Sequence, residues 1–78
     1  MHKTVNIMLN SINEVKDFVN LVSCRDFDID LTSGRYVVDA KSIMGIFSLD
    51  LSKPIKLEAL TDDPGDFFEQ LKPFIVKD

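Results

Sequence analysis

An α+β open-faced sandwich, with elements in the order β-α-β-β-α-β-α, is what this 78-residue sequence predicts. Three observations carry it. Some segments alternate apolar and polar residues, the period of a half-buried strand. Others repeat apolar residues at helical spacing behind a capping residue. Turn and breaker residues such as Ser33-Gly34, Pro54 and Asp63-Pro64-Gly65 separate them. Strands with one apolar face predict an antiparallel sheet that carries helices on one side and meets water on the other.

Lys3 to Leu9 alternates, with Val5, Ile7 and Leu9 on one side and Thr4, Asn6 and Met8 on the other. Ser11-Ile12-Asn13-Glu14 fits a capping box, in which the Ser11 hydroxyl accepts from the first turn and Glu14 reaches back to the Ser11 amide. Ile12, Val15, Phe18, Val19 and Val22 then share a helical face, predicting a helix from about residue 12 to 23.

Phe27, Ile29 and Leu31 alternate with Asp26, Asp28, Asp30 and Thr32, a strand with one greasy and one acidic face. Gly34 supplies the positive φ of a turn, and Arg35 to Ala40 returns as the second strand of a hairpin, with Tyr36, Val38 and Ala40 inward. Lys41 to Leu49 reads as a short helix with Ser42 as N-cap and Gly45 allowing close backbone packing.

Ile55, Leu57 and Ala59 form the inward side of a fourth strand that Pro54 introduces. Asp63 and Pro64 read as the cap and first turn of a last helix, whose apolar face is Phe67, Phe68, Leu71, Phe74 and Ile75. Pro73 ends or kinks it, because it lacks the N–H that a helix interior donates.

Length and composition narrow the function. The chain, residues 1–78, is expected to be a single domain. Net charge is −4 and no stretch gathers Lys or Arg, which argues against nucleic-acid or anionic-membrane binding. Cys24 is the only cysteine, so no intrachain disulfide or multi-cysteine metal site forms; it reads as an inert thiol. No leader pattern precedes an apolar run and none approaches a bilayer's thickness, so a soluble cytoplasmic protein is expected. Asp26, Asp28 and Asp30 alternate as a solvated strand face rather than a cation site. No cofactor and no independent catalytic site is indicated.

The element order, together with Lys41-Ser42-Ile43-Met44-Gly45 and Ser48-Leu49, resembles HPr, the phosphocarrier of the bacterial sugar phosphotransferase system. Those residues are similar to the segment around the regulatory serine of Gram-positive HPr proteins. The resemblance implies an HPr-like sandwich with sheet order 1-4-2-3 and three helices on one face. Register counted back from Ser42 sets Ser11 at the phospho-accepting histidine of the family, Asn13 at its arginine and Glu14 at its proline. That chemistry needs an imidazole nucleophile, an adjacent cation and a helix N-terminus. The preceding loop is also roughly three residues shorter. His2 precedes the first strand and cannot substitute.

The resemblance further implies that Ser42 is the target of an HPr kinase/phosphorylase, with Lys41, Ile43, Met44 and Phe47 around it as a partner surface for a LacI-type transcriptional regulator. A family variant, the catabolite repression HPr, likewise lacks the carrier histidine and keeps the serine. Three readings stay open: a non-enzymatic regulatory module switched at Ser42, a phosphocarrier of the sugar phosphotransferase system, and a divergent domain with neither activity.

Overall fold

The computed structural model of the chain describes residues 3–63 and 65–76; the expectations for His2 and Pro64 lie outside the described residues. The elements are β1 (Lys3–Ile7), α1 (Ile12–Ser23), β2 (Ile29–Ser33), β3 (Tyr36–Asp39), α2 (Ile43–Phe47), β4 (Ile55–Ala59) and α3 (Phe67–Gln70), then a 3-10 turn at Lys72–Phe74. The strands form one antiparallel sheet in the order β1-β4-β2-β3. Both the expected element order and the expected sheet order are present.

The apolar alternation places the core. Ile7 from β1, Ile29 and Leu31 from β2, and Ile55, Leu57 and Ala59 from β4 are fully buried. Val15, Phe18 and Val22 of α1, Ile46 of α2, and Phe67 and Leu71 at the last helix meet them in one cluster. Burying each such side chain is worth about 1.5–3 kcal/mol, which makes this layer the main source of stability. Edge-to-face ring pairs, Phe18 with Phe74 at 5.8 Å and Phe27 with Phe67 at 5.5 Å, tie the C-terminal segment to it.

The structure departs from the sequence expectations at several ends. β1 stops at Ile7 because its last partner in β4 is Ile55, which comes directly after Pro54. The C-terminal segment meets the end of β1 at an Ile7–Ile75 bridge, where Met8 N–H donates to the Phe74 carbonyl at 2.8 Å and Val76 N–H to the Asn6 carbonyl at 2.9 Å. Phe27 lies outside β2 yet stays half-buried. Tyr36 shares the register of Val38 and Ala40 but is exposed, because what stands beside it is the polar segment containing Ser48, Asp50 and Lys53. Gly34, at φ 60°, opens the hairpin's two-residue turn.

The last helix starts later than Asp63 suggests. Asp63 Oδ1 accepts from Gly65 N–H at 3.2 Å and so closes a turn instead of capping a helix. Gly65 then takes φ 61°, outside helical space, and α3 begins only at Phe67. Asp66 holds the N-cap place, but its side chain makes no cap bond. It pairs with Arg25 at the far end of α1, Nη2 to Oδ1 3.0 Å, and the guanidinium lies 5.4 Å from the Phe67 ring centre.

No helix among the described residues is long and apolar enough to cross a membrane.

Candidate functional site

Two helix starts and the groove beside them hold most of the residues that the sequence singles out. α1 opens on Ser11, whose backbone is extended and whose Oγ accepts from Glu14 N–H at 3.1 Å. Glu14 Oε1 reaches back, but to Asn10 N–H at 2.7 Å rather than to the Ser11 amide. The capping box therefore forms with its return bond displaced by one residue. Asn13, at the helix's second position, is exposed.

α2 opens in the same way. The backbone of Ser42 is extended, and its Oγ accepts from Gly45 N–H at 3.2 Å, so the expected N-cap is present. Ser42 N–H donates to the Asp39 carbonyl, and Asp39 Oδ1 accepts from Lys41 N–H at 2.9 Å, which fixes the turn out of β3. Gly45 packs tightly: a Cβ there would stand 3.3 Å from Ser42 Oγ and 3.3 Å from Val38 Cβ. The close approach expected of this glycine is thus against β3.

Of the apolar residues after Ser42, Ile43 is half-buried against the core and Ile46 is fully buried. Met44 and Phe47 remain exposed, 76% and 41%. Lys41 is placed differently from the rest: its Nζ donates to the Arg25 carbonyl at 2.9 Å, in a partly buried position. Its ammonium anchors β3's exit to the end of α1 and is committed there, so it does not stand free to offset charge at Ser42.

Periodicity alone misplaces Ile12. The helical stripe sets it on the inward face of α1, yet it is 62% exposed. A side chain at the first helical position leans toward the N-terminus and projects past the end of the helix, where no turn lies beneath it. Ile12 and Phe47 face one open depression of about 470 Å³, with Leu9, Ser11 and Leu51 also lining it. The signal available in the sequence is position: an apolar residue directly after an N-cap is a poor candidate for core.

Elsewhere, Cys24 is exposed, with its thiol bonded to the Asn20 carbonyl at 3.3 Å. Among the described residues no three acidic, histidine or cysteine side chains converge on a point.

No protein-family model matches the sequence, and no curated protein matches it. Solved structures do. HPr-C-His from Thermoanaerobacter tengcongensis superposes with a TM-score of 0.74 at 29% identity, over 94% of this chain and 88% of that one. The phosphocarrier protein HPr from Bacillus anthracis str. Ames superposes with a TM-score of 0.72 at 25% identity, over 97% of this chain and 96% of that one. With the 1-4-2-3 sheet, the helix layer and both likenesses spanning nearly the whole chain, the chain has an HPr-like fold, the fold of the HPr phosphocarriers.

Proposed function

We propose that this chain is a regulatory binding module of the bacterial phosphotransferase and carbon-catabolite system, controlled by phosphorylation of Ser42, with no phosphocarrier or enzymatic activity of its own. One observation carries the reading: the contrast in chemistry between the two helix starts. At the start of α1 stand Ser11, exposed Asn13 and the Glu14 carboxylate, bonded to the Asn10 amide. A phosphoryl carrier needs an imidazole nucleophile and a cation there, whereas a carboxylate repels the phosphate. The only histidine in the sequence is His2.

At the start of α2 stands an exposed hydroxyl with no acidic residue in the helix's first turn. A phosphate on Ser42 would add about −1.5 to −2 charges and could accept from Gly45 N–H, the donor its Oγ already uses. Met44 and Phe47, both exposed, supply an apolar contact next to that charge. A kinase of the HPr kinase/phosphorylase type is the proposed modifier, and a LacI-type transcriptional regulator the proposed partner of the phosphorylated form. Ile43 and Lys41 support the surface from beneath, through their contacts with the core and with Arg25, rather than by presenting side chains.

The rival reading, a phosphocarrier, draws on the likeness to the Bacillus anthracis phosphocarrier. Mass spectrometry separates the two. The protein is incubated with an HPr kinase and ATP, and separately with phosphoenolpyruvate and the first component of the phosphotransferase system. An acid-stable phosphate on Ser42 in the first reaction and none in the second is the expected result. An acid-labile phosphate in the second establishes the carrier instead. No phosphate in either leaves neither function standing.

A further inference from the structure

The helix layer stops short of the β2–β3 hairpin, and the space it leaves is lined by charge. In the inward register of β3, Ala40 is buried and Val38 lies against Gly45 of α2. Tyr36 comes next in that register, but α2 ends at Phe47 after five residues, and Tyr36 stays 70% exposed. It forms part of the wall of an open depression of about 400 Å³, at the small end of the range for small-molecule sites. The hairpin contributes Ser33, Arg35 and Tyr36 to that wall; the segment between α2 and β4 contributes Ser48, Asp50 and Lys53.

Two cations from separate parts of the chain thus meet at one depression in a protein whose net charge is −4. Arg25, Lys41 and Lys72 are each bonded to a neighbour, whereas Arg35 and Lys53 have no ion-pair or hydrogen-bond partner among the described residues. The carboxylate in the same wall does not pair with them. Asp50 Oδ1 accepts from the Ser52 amide at 3.1 Å and from the Ser52 hydroxyl at 2.5 Å, and its second oxygen is left without a partner among those residues.

The donor set describes a ligand with three parts. A guanidinium fork and an ammonium suit the oxygens of a phosphoryl group. A carboxylate oxygen repels that group and accepts instead from a hydroxyl beside it. The exposed ring of Tyr36 offers an apolar face to a short carbon skeleton. A bare anion would use only the first of these.

We propose that this depression binds a small, soluble, hydroxylated phosphomonoester, with its phosphoryl group between Arg35 and Lys53, a hydroxyl on Asp50 and its carbon skeleton against Tyr36. The contacts are made at the solvent-exposed surface, so the affinity belongs in about the millimolar range. The site uses neither Ser42 nor the apolar residues beside it and stands apart from the function proposed above.

Titration of the isotope-labelled protein with glycerol phosphate, inorganic phosphate and glycerol at matched ionic strength, followed through backbone amide shifts, tests it. Glycerol phosphate is expected to saturate, with the largest shifts in Ser33–Tyr36 and Ser48–Lys53, and to bind at least about threefold more tightly than inorganic phosphate. Glycerol alone should shift nothing, and added salt should weaken the binding. The double variant Arg35→Gln/Lys53→Gln should lose saturable binding. Tyr36→Ala should bring glycerol phosphate down to the level of inorganic phosphate. All three side chains are exposed, so the variants keep the fold, which their own amide spectra report. Inorganic phosphate binding as tightly as glycerol phosphate overturns the proposal. So do shifts spread equally over Lys16 and Lys56, binding that survives the double variant, or no saturation up to about ten times the expected millimolar value.

Discussion

The two helix starts of this protein share a cap and differ in the residue three positions beyond it. Ser11 and Ser42 both hold an extended backbone and both accept from the amide three residues on, at 3.1 and 3.2 Å. At that position α1 has Glu14, whose carboxylate closes the end of the helix by taking the Asn10 amide. At the same position α2 has Gly45, which brings the helix down onto Val38 and leaves no acid in the first turn. One start is already supplied with negative charge; the other has a donor and an exposed hydroxyl. The same N-cap geometry thus meets a carboxylate in one place and an open backbone donor in the other.

The largest effect that can break this comparison is in labelling. With an HPr kinase and ATP, Ser42→Ala should remove all phosphate incorporation, while Ser11→Ala should leave it unchanged, as read by intact-protein mass. Labelling that survives Ser42→Ala moves the switch elsewhere and removes the contrast.

One substitution at the two equivalent positions sharpens it next. Gly45→Leu should cost about 1–3 kcal/mol, because its Cβ alone already meets Val38 and Ser42 at 3.3 Å and the rest of the side chain overpacks the site. Glu14→Leu should cost less than about 1 kcal/mol, since it removes a carboxylate near the helix N-terminus and one exposed bond without crowding. Urea denaturation measures both. Equal costs would mean that α2 is not held tightly against β3.

A smaller effect compares the caps themselves. Ser11→Ala should cost about 1 kcal/mol, the usual loss when an N-cap oxygen disappears. The 12-residue α1 buries Val15, Phe18 and Val22, so fraying at its start is coupled to the core. Ser42→Ala removes the same kind of bond from the five-residue α2, which buries Ile46. Its loss should be smaller in global unfolding and clearer in amide exchange at Gly45. If Gly45 exchange is unchanged in Ser42→Ala, the α2 cap contributes nothing.

Much of this is legible in the sequence, because period and capping are local. The bounds of α1, the inward faces of β2 and β4, and Ser42 as a cap all depend on residues within a few positions of each other. The features that escape depend on neighbours far along the chain. Asp63 has the look of a helix cap, but Gly65 departs from helical space and Asp66 is drawn to Arg25, distant in sequence. Lys41 reads as part of a partner surface around Ser42, yet its ammonium donates to the Arg25 carbonyl. Ile12 fits the apolar stripe of α1 and still faces solvent, because the stripe's geometry holds only where a preceding turn lies beneath the side chain.

The smallest effect lies past the other end of α2, at Asp50. Its Oδ1 accepts from Ser52 N–H at 3.1 Å and from the Ser52 hydroxyl at 2.5 Å, closing a turn next to the depression that Ile12 and Phe47 share. The Ser52 hydroxyl bond first, then the Ser52 amide, holds the Asp50 carboxyl below its ordinary value of 3.8. A pKa lower in the folded than in the unfolded chain favours folding above the unfolded value, and that contribution is lost as pH falls through the folded one. The carboxylate is fully solvent-exposed, so the effect is slight and confined to acid. Asp50→Asn should therefore flatten the acid limb of a stability-against-pH curve, between the unfolded value and the lower folded one. Above that window it should lower stability by a constant small amount, and Ser52→Ala should reproduce most of the change. A curve for Asp50→Asn parallel to that of the unaltered protein through the acid limb would show that the turn is not held by charge. The wall of the Ile12–Phe47 depression would then owe its shape to Leu51 and the core beneath it, and not to the Asp50–Ser52 pair.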